Sequence, residues 1–261
     1  MVNSSDSQVH SERIDIGGRR LFFTCAGQGS PTVILDAGLG DTSDIWSLIQ
    51  PAVAEFACVC SYDRAGLGQS DHAPTPRTCQ DMVADVHAWL NAAHIAPPYV
   101  LVSHSFAGFI ARLYASLYPM EVSGLVLVDA THEDQFSLFE TVLSEDLIRQ
   151  HRAYLRDPSR NVEHFDNLQS VVQLRMARRM FDFPLIVLTR GRPGESSPVW
   201  PVEAMHQVHT GLQPELLKHS TRSIQRIATD SGHYIQQDEP ELVIDAIRQV
   251  VDMARQGGDR E

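Results

Sequence analysis

Pro98-Tyr99-Val100-Leu101-Val102-Ser103-His104-Ser105-Phe106-Ala107-Gly108 joins two different periodicities with almost nothing between them. Pro98 to Val102 is a short apolar run of strand type, and Phe106 to Tyr118 carries apolar residues at the spacing of an amphipathic helix. So sharp a strand-to-helix turn strains its middle residue and crowds both flanks, and the positions two before and two after that residue must be small. Ser103 and Ala107 meet this demand around Ser105, whereas centring the turn on Ser103 would put the branched Leu101 in the crowded place. Ser105 is therefore the residue held out from the bend, a candidate nucleophile. Neither flank has the glycine usual in such turns, although Gly108 follows, and the plain alternative is a serine that caps the next helix.

The far end of the chain supplies a partner. Ile224 to Thr229 reads as a strand and runs into Asp230-Ser231-Gly232-His233-Tyr234, which puts His233 on a loop just past a late strand. Pro240 to Val251 then carries apolar residues at helical spacing and closes the domain. A serine on a turn after one strand and a histidine on a loop after a later one is the chain order of a hydrolase.

Between and around these points the pattern predicts eight strands: Arg13 to Ile16, Leu21 to Cys25, Thr32 to Asp36, Cys58 to Tyr62, Tyr99 to Val102, Gly124 to Val128, Leu185 to Thr189 and Arg222 to Ala228. Runs such as Thr32-Val33-Ile34-Leu35 and Leu125-Val126-Leu127-Val128 are apolar throughout, as strands are when helices cover both faces of a mostly parallel sheet. The first two strands are expected to pair antiparallel through Gly17-Gly18. Residues 131–183 are too long for a plain connection and read as helices, a cap between the sixth and seventh strands that Arg156-Asp157-Pro158-Ser159-Arg160 breaks in two. Val171, Val172, Leu174 and Met176 lie on its later part, with attachment of the cap to the body as their plain role. The core is then 1–130 with 184–261.

A chain of 261 residues suits one α/β domain with a large core. The first twelve residues are polar, so the stretch before Arg13 is expected to be frayed, and neither a signal peptide nor a membrane span is visible; the expected location is cytoplasmic. Cys25, Cys58, Cys60 and Cys79 are too few and scattered for a disulfide framework, and Cys58 and Cys60 are expected to behave as small hydrophobes in a strand. The net charge of -12 argues against nucleic acid and polyanionic substrates, leaving small neutral or cationic molecules.

Over about Arg13 to Ala254 the chain resembles the α/β-hydrolase family. Three further strings carry the resemblance: Val33-Ile34-Leu35-Asp36-Ala37-Gly38-Leu39-Gly40 is similar to its oxyanion loop, Ser61 to Asp71 to the loop after its fourth strand, and Ser231-Gly232-His233 to its histidine loop. The resemblance implies an eight-stranded, mostly parallel sheet and a Ser-acid-His triad. The commonest family pattern has an aspartate after the seventh strand, where this chain reads Leu188-Thr189-Arg190-Gly191-Arg192-Pro193-Gly194-Glu195. Asp129, at the end of the sixth strand, is where some branches, including many haloalkane dehalogenases, place the acid. It is the stronger candidate, with Glu195 and Glu133 behind it and a helix-capping aspartate as the plain reading.

Ser105, Asp129 and His233 would then attack, orient and shuttle the proton, while the resemblance assigns the oxyanion donors to the backbone N–H groups of Leu39 and Phe106. The family often has His-Gly where this chain has Ala37-Gly38. The expected activity is cofactor-independent hydrolysis of small to medium carboxylic esters through an acyl-enzyme, with no metal. Amides, lactones and carbon–carbon bonds beside ketones are alternatives on the same triad, as is a ligand-binding protein that keeps the fold without chemistry. His104 is expected to be structural, His132 to reach the pocket mouth, and Trp46 to pack near the oxyanion loop. Asp63 and Arg64 are expected to hold their loop by ion pairing. His206 and His209, three apart on a helix, form a solvated face or a metal pair.

Overall fold

The computed structural model describes residues 9–258. One sheet contains β1 (His10–Asp15), β2 (Arg20–Ala26), β3 (Thr32–Asp36), β4 (Val59–Tyr62), β5 (Tyr99–His104), β6 (Val122–Val128), β7 (Phe181–Arg190) and β8 (Ser220–Ala228). Its order is β1-β2-β4-β3-β5-β6-β7-β8, antiparallel where β2 meets β1 and β4 and parallel elsewhere. The helices are α1 (Gln50–Ala54), α2 (Cys79–Ala92), α3 (Ala107–Leu117), α4 (Gln135–Phe139), α5 (Glu145–Arg156), α6 (Asn167–Ala177), α7 (Val202–Leu216), α8 (Ile235–Asp238) and α9 (Pro240–Gly258). This is the mostly parallel sheet, covered on both faces, that the apolar strands predict.

Successive residues of a strand point to opposite faces, and the core divides accordingly. Leu125, Leu127, Leu185 and Val187 pack with the residues of α2 and α3, while Val126, Val128, Ile186 and Leu188 pack with those of α1 and α9. Every residue of β3 and β5 is buried. Helix α3 departs from the amphipathic expectation: Ala107 to Ala115 are all buried, because α2 and α6 flank it and no side of those turns meets water. Helix α2 starts in a capping box, Thr78 accepting from the Asp81 amide while the Asp81 carboxylate accepts from the Thr78 amide.

Strand β3 has β4 on one side and β5 on the other. The connections leaving β3 and β5 therefore diverge at their carboxyl ends, and such a reversal of strand order opens a crevice between neighbouring loops. Gly38 to Gly40 follow β3 and Ser105 follows β5, so both candidate loops border that crevice.

Several expectations are corrected. Strand β1 starts at His10, inside the stretch expected to fray before Arg13; residues 1–8 of that stretch lie outside the described residues. Cys25 and Cys60 form a disulfide, against the reading of Cys60 as a free small hydrophobe. The antiparallel register of β2 and β4 sets them directly opposite, with Cα atoms 4.1 Å apart, a relation that spacing along the chain does not reveal. Cys58 and Cys79 are free. A bonded pair persists chiefly where thiols are oxidised, so the cysteines give no support to a cytoplasmic location. No helix among the described residues is long and apolar enough to cross a membrane.

The insertion between β6 and β7 holds α4, α5 and α6, with the break at Asp157, whose side chain caps a turn at Pro158–Arg160. Its later part is sewn to the body: Phe165, Val171 and Leu174 join the core, and the Cys79 amide donates to Ser170 Oγ at 2.9 Å. Val172 and Met176, expected to serve that attachment, point outward instead, 53% and 83% exposed.

Candidate active site

Ser105 stands between β5 and α3 with φ of 55°, in the left-handed region that a serine occupies only under constraint. The constraint is visible: its amide donates to Val128 O at 2.9 Å, and its carbonyl accepts from the amides of Gly108 and Thr131. The turn also demands smallness nearby, since a Cβ on Gly108 would lie 2.6 Å from that of Ala130.

Asp129 begins the connection after β6, also at positive φ, 45°, a conformation aspartate tolerates better than most residues. It is fully buried. His233 leaves β8 on a loop whose Gly232 amide donates to Asp238 Oδ2 at 3.0 Å and whose Asp230 amide donates to Glu239 Oε1 at 2.9 Å. The three residues meet. His233 Nε2 lies 2.9 Å from Ser105 Oγ, and His233 Nδ1 lies 2.6 Å from Asp129 Oδ2. A buried carboxylate only accepts, so Nδ1 carries the hydrogen and Nε2 offers its lone pair to the hydroxyl. Burial alone would raise the Asp129 carboxyl, but hydrogen bonds from His209 and His233 and the nearby Arg190 charge hold it far below the usual carboxylate range.

His209 is the residue that sequence reasoning misplaced. It is neither solvated nor arranged with His206 around a metal: its Nε2 donates to Asp129 Oδ1 at 2.8 Å, and its Nδ1 lies 2.7 Å from Gln135 Oε1. With both nitrogens engaged, a metal would first have to displace one of them. A signal was present, because His209 falls in register with Leu212, Gln213 and Leu216 on the buried face of α7. The Arg190 amide completes the cradle, donating to Asp129 Oδ1 at 3.1 Å.

The alternative acids are elsewhere. Glu195 is exposed, and Glu133 accepts from Arg112 Nη1 at 2.6 Å, which holds its carboxyl down to about 2 against the effect of burial. His132, expected at a pocket mouth, is buried beside Glu133, and its Nδ1 accepts from the Asp134 amide. His104 is structural as expected: burial pushes it down to about 3, and as a neutral ring it donates from Nε2 to His233 O at 2.9 Å. Trp46 is fully buried, packed among the residues around Leu35 and Ala37.

Leu39 and Phe106 border the crevice from the ends of the neighbouring strands β3 and β5. Among the described residues neither backbone amide has a protein acceptor, and Phe106 also caps the amino end of α3, where helix dipoles favour negative charge. Of Asp63 and Arg64, expected to hold their loop by ion pairing, Arg64 does so through Asp36 and Glu163, whereas Asp63 holds it by hydrogen bonds from uncharged groups. Asp63 accepts from Ser43 and Gln69, while Arg64 reaches back to Asp36, Ala37 and Gly38 and across to Glu163 of the insertion. A Cβ on Gly38 would lie 2.8 Å from both His104 Nδ1 and Asp41 Oδ2, so this loop passes where only glycine fits.

Residues 31–168 match the family model described as alpha/beta hydrolase fold. The protein YqjL of Bacillus subtilis, itself uncharacterized, is 29% identical over 224 residues, spanning 86% of this chain and 85% of its own. Among solved structures, Cfl2 from Burkholderia cenocepacia superposes with a TM-score of 0.69 at 18% identity, covering 93% of this chain and 96% of its own. The haloalkane dehalogenase DbeA from Bradyrhizobium elkani does so with a TM-score of 0.67 at 18% identity, covering 96% and 100%.

Proposed function

The chain belongs to the α/β-hydrolase family, and from that premise we propose that it is a serine hydrolase cleaving small to medium carboxylic esters through an acyl-enzyme. The observation that carries this reading is the unbroken hydrogen-bonded line from Ser105 through His233 to Asp129. His233 takes the hydroxyl proton as Ser105 Oγ attacks the carbonyl carbon, and Asp129 holds the imidazole in the tautomer that leaves Nε2 free. The tetrahedral oxygen then faces the amides of Leu39 and Phe106. As the intermediate collapses, His233 returns the proton to the departing alcohol, and a water repeats the sequence to release the acid.

The likeness to the dehalogenase is one of fold; a serine hydroxyl paired with a histidine suits attack on a carbonyl, with the charge collected on an oxygen. Residues 131–183 act as a cap. Two contacts at the crevice support this: Glu163 accepts from the Gly40 amide at 2.8 Å, and the Phe165 ring meets that of Phe106 with centroids 4.2 Å apart. The substrate is a small molecule, and the net charge of -12 disfavours nucleic acid as a partner.

A fluorophosphonate probe with mapping of the adduct tests the assignment. One adduct, on Ser105, is expected in the native protein and none in Ser105→Ala. Labelling at another residue, or none, would sink the reading.

A further inference from the structure

Arg64 is buried, and all its N–H groups are used. Its Nη1 donates to Asp36 Oδ1 and to Ala37 O, both at 2.6 Å; its Nη2 donates to Gly38 O at 2.5 Å and to Glu163 Oε1 at 2.7 Å; its Nε donates to Glu163 Oε2 at 2.8 Å. Two of these acceptors are the successive carbonyls that precede the Leu39 amide. Glu163 does double duty, because Oε1 also accepts from the amide of Gly40, the next residue.

A trans peptide unit points its C=O and its N–H in opposite directions. Arg64 holds the oxygen of the Gly38–Leu39 unit from behind, which turns the N–H of Leu39 the other way. Glu163 holds the N–H of the following unit, and so the Leu39 amide is gripped on both sides. The ion pair is bidentate, the geometry in which an arginine fixes direction as well as distance. Asp36 and Ala37 belong to the strand end and its loop, whereas Glu163 comes from the insertion 99 residues away from Arg64.

We infer that Glu163 and Arg64 together form a clamp that aims the Leu39 N–H at the oxyanion, so that the donor is complete only when the cap segment carrying Glu163 is seated on the body. Both are positioning residues: neither touches the reacting atoms, and neither contacts Asp129 or His233. Burial would raise the Glu163 carboxyl, but the Arg64 charge and hydrogen bonds prevail and keep it below its usual value, an acceptor for both groups it binds. The inference rests on the serine hydrolase reading and adds to it a residue whose place in the sequence carries no local signal.

The test compares native protein with Glu163→Gln, which keeps the shape and loses the bidentate carboxylate. For a p-nitrophenyl ester, kcat is expected to fall about 10- to 100-fold, somewhat less than deletion of a donor outright. The acid limb of the pH–rate profile should stay where it is, because the proton relay is untouched, and the rate of fluorophosphonate labelling at Ser105 should fall with kcat. A kcat within threefold of native, or a loss accompanied by a displaced acid limb, would overturn the clamp. Native protein that fails to label at Ser105 would instead overturn the hydrolase reading beneath it. Should Glu163→Gln not melt cooperatively, Arg64→Lys is the second variant, with the same kcat loss expected, since an ammonium cannot hold two carbonyls and a bidentate carboxylate. Should neither fold, amide exchange of the native protein decides: the Gly40 amide, which donates to Glu163, is expected to open together with those of His164 and Phe165, and markedly faster exchange at Gly40 would refute the clamp.

Discussion

The proposed proton relay behind Ser105 is built inside the body, whereas the amide proposed to face the oxyanion leans on the insertion. On the first side, His233 and Asp129 leave the carboxyl ends of β8 and β6, and the buried carboxylate is further held by His209 from α7 and the Arg190 amide at the end of β7. On the second, the Phe106 amide stands at the start of α3, but the Leu39 amide, the other proposed donor, lies on a loop whose last grip is Glu163. The proton relay can therefore stay assembled while the charge-facing side is loosened. What the difference teaches is that, under the proposed mechanism, acceptance of a proton and stabilisation of an oxyanion would fail independently.

The largest effect should come from breaking the relay. Asp129→Asn is expected to lower kcat by about 10⁴-fold, because an amide can present its N–H to His233 and hold the wrong tautomer, while Glu195→Gln should stay within twofold of native. Steady-state ester hydrolysis measures both, and the reverse pattern would move the acid to the loop after β7. A smaller loss, about 10-fold, is expected for His209→Leu, which removes one of several hydrogen bonds to a charged, buried carboxylate; His209→Gln, which can still donate to Asp129, should recover most of it. Combined with Glu163→Gln, the two losses should multiply, since the sites share no partner. A strongly non-multiplicative double variant would mean that the two sides are one unit.

The smallest effect concerns a ring that touches both sides. His104 donates to the His233 carbonyl and fills the space beside Gly38, and it stays neutral down to about 3, as does His219 beside Arg112. In the unfolded chain both take a proton near the ordinary value of 6.5. The unfolded state therefore binds more protons between these limits, and stability is full above about pH 6.5 and lost as pH falls toward 3, on the order of 1 kcal/mol per unit for each histidine. Urea midpoints at pH 7 and pH 5 check this; equal midpoints would show that neither ring is held neutral.

The elbow and the sheet were legible because local rules determine them. Small residues flank Ser105 where the bend is crowded, and strands buried on both faces are apolar throughout. Asp129 could be read from its place at a strand end. His209 could not be read so directly, since its acceptor lies 80 residues earlier and meets it only through the packing of α7, although its phase with Leu212 and Leu216 marked it as inward-facing. Glu163 had no such mark: Asn161 to Phe165 lacks periodicity, and its partner became visible only once the insertion was folded back. The pairing of Cys25 with Cys60 was hidden for a third reason, because β2 lies beside β4, its neighbour across the sheet and not along the chain.

That cross-strand bond has a topological consequence. It closes a ring from Cys25 to Cys60 that encloses β3 and the loop through Gly40, while Ser105, Asp129, His233, Arg64 and Glu163 all lie outside it. Closing 35 residues removes chain freedom from the denatured ensemble worth ~4 kcal/mol in the loop-entropy picture. The loop through Gly40 is thus tethered covalently at its base even when every hydrogen bond around it opens, and the partner that must find its way back is the Glu163 carboxylate, which no covalent bond within the ring holds.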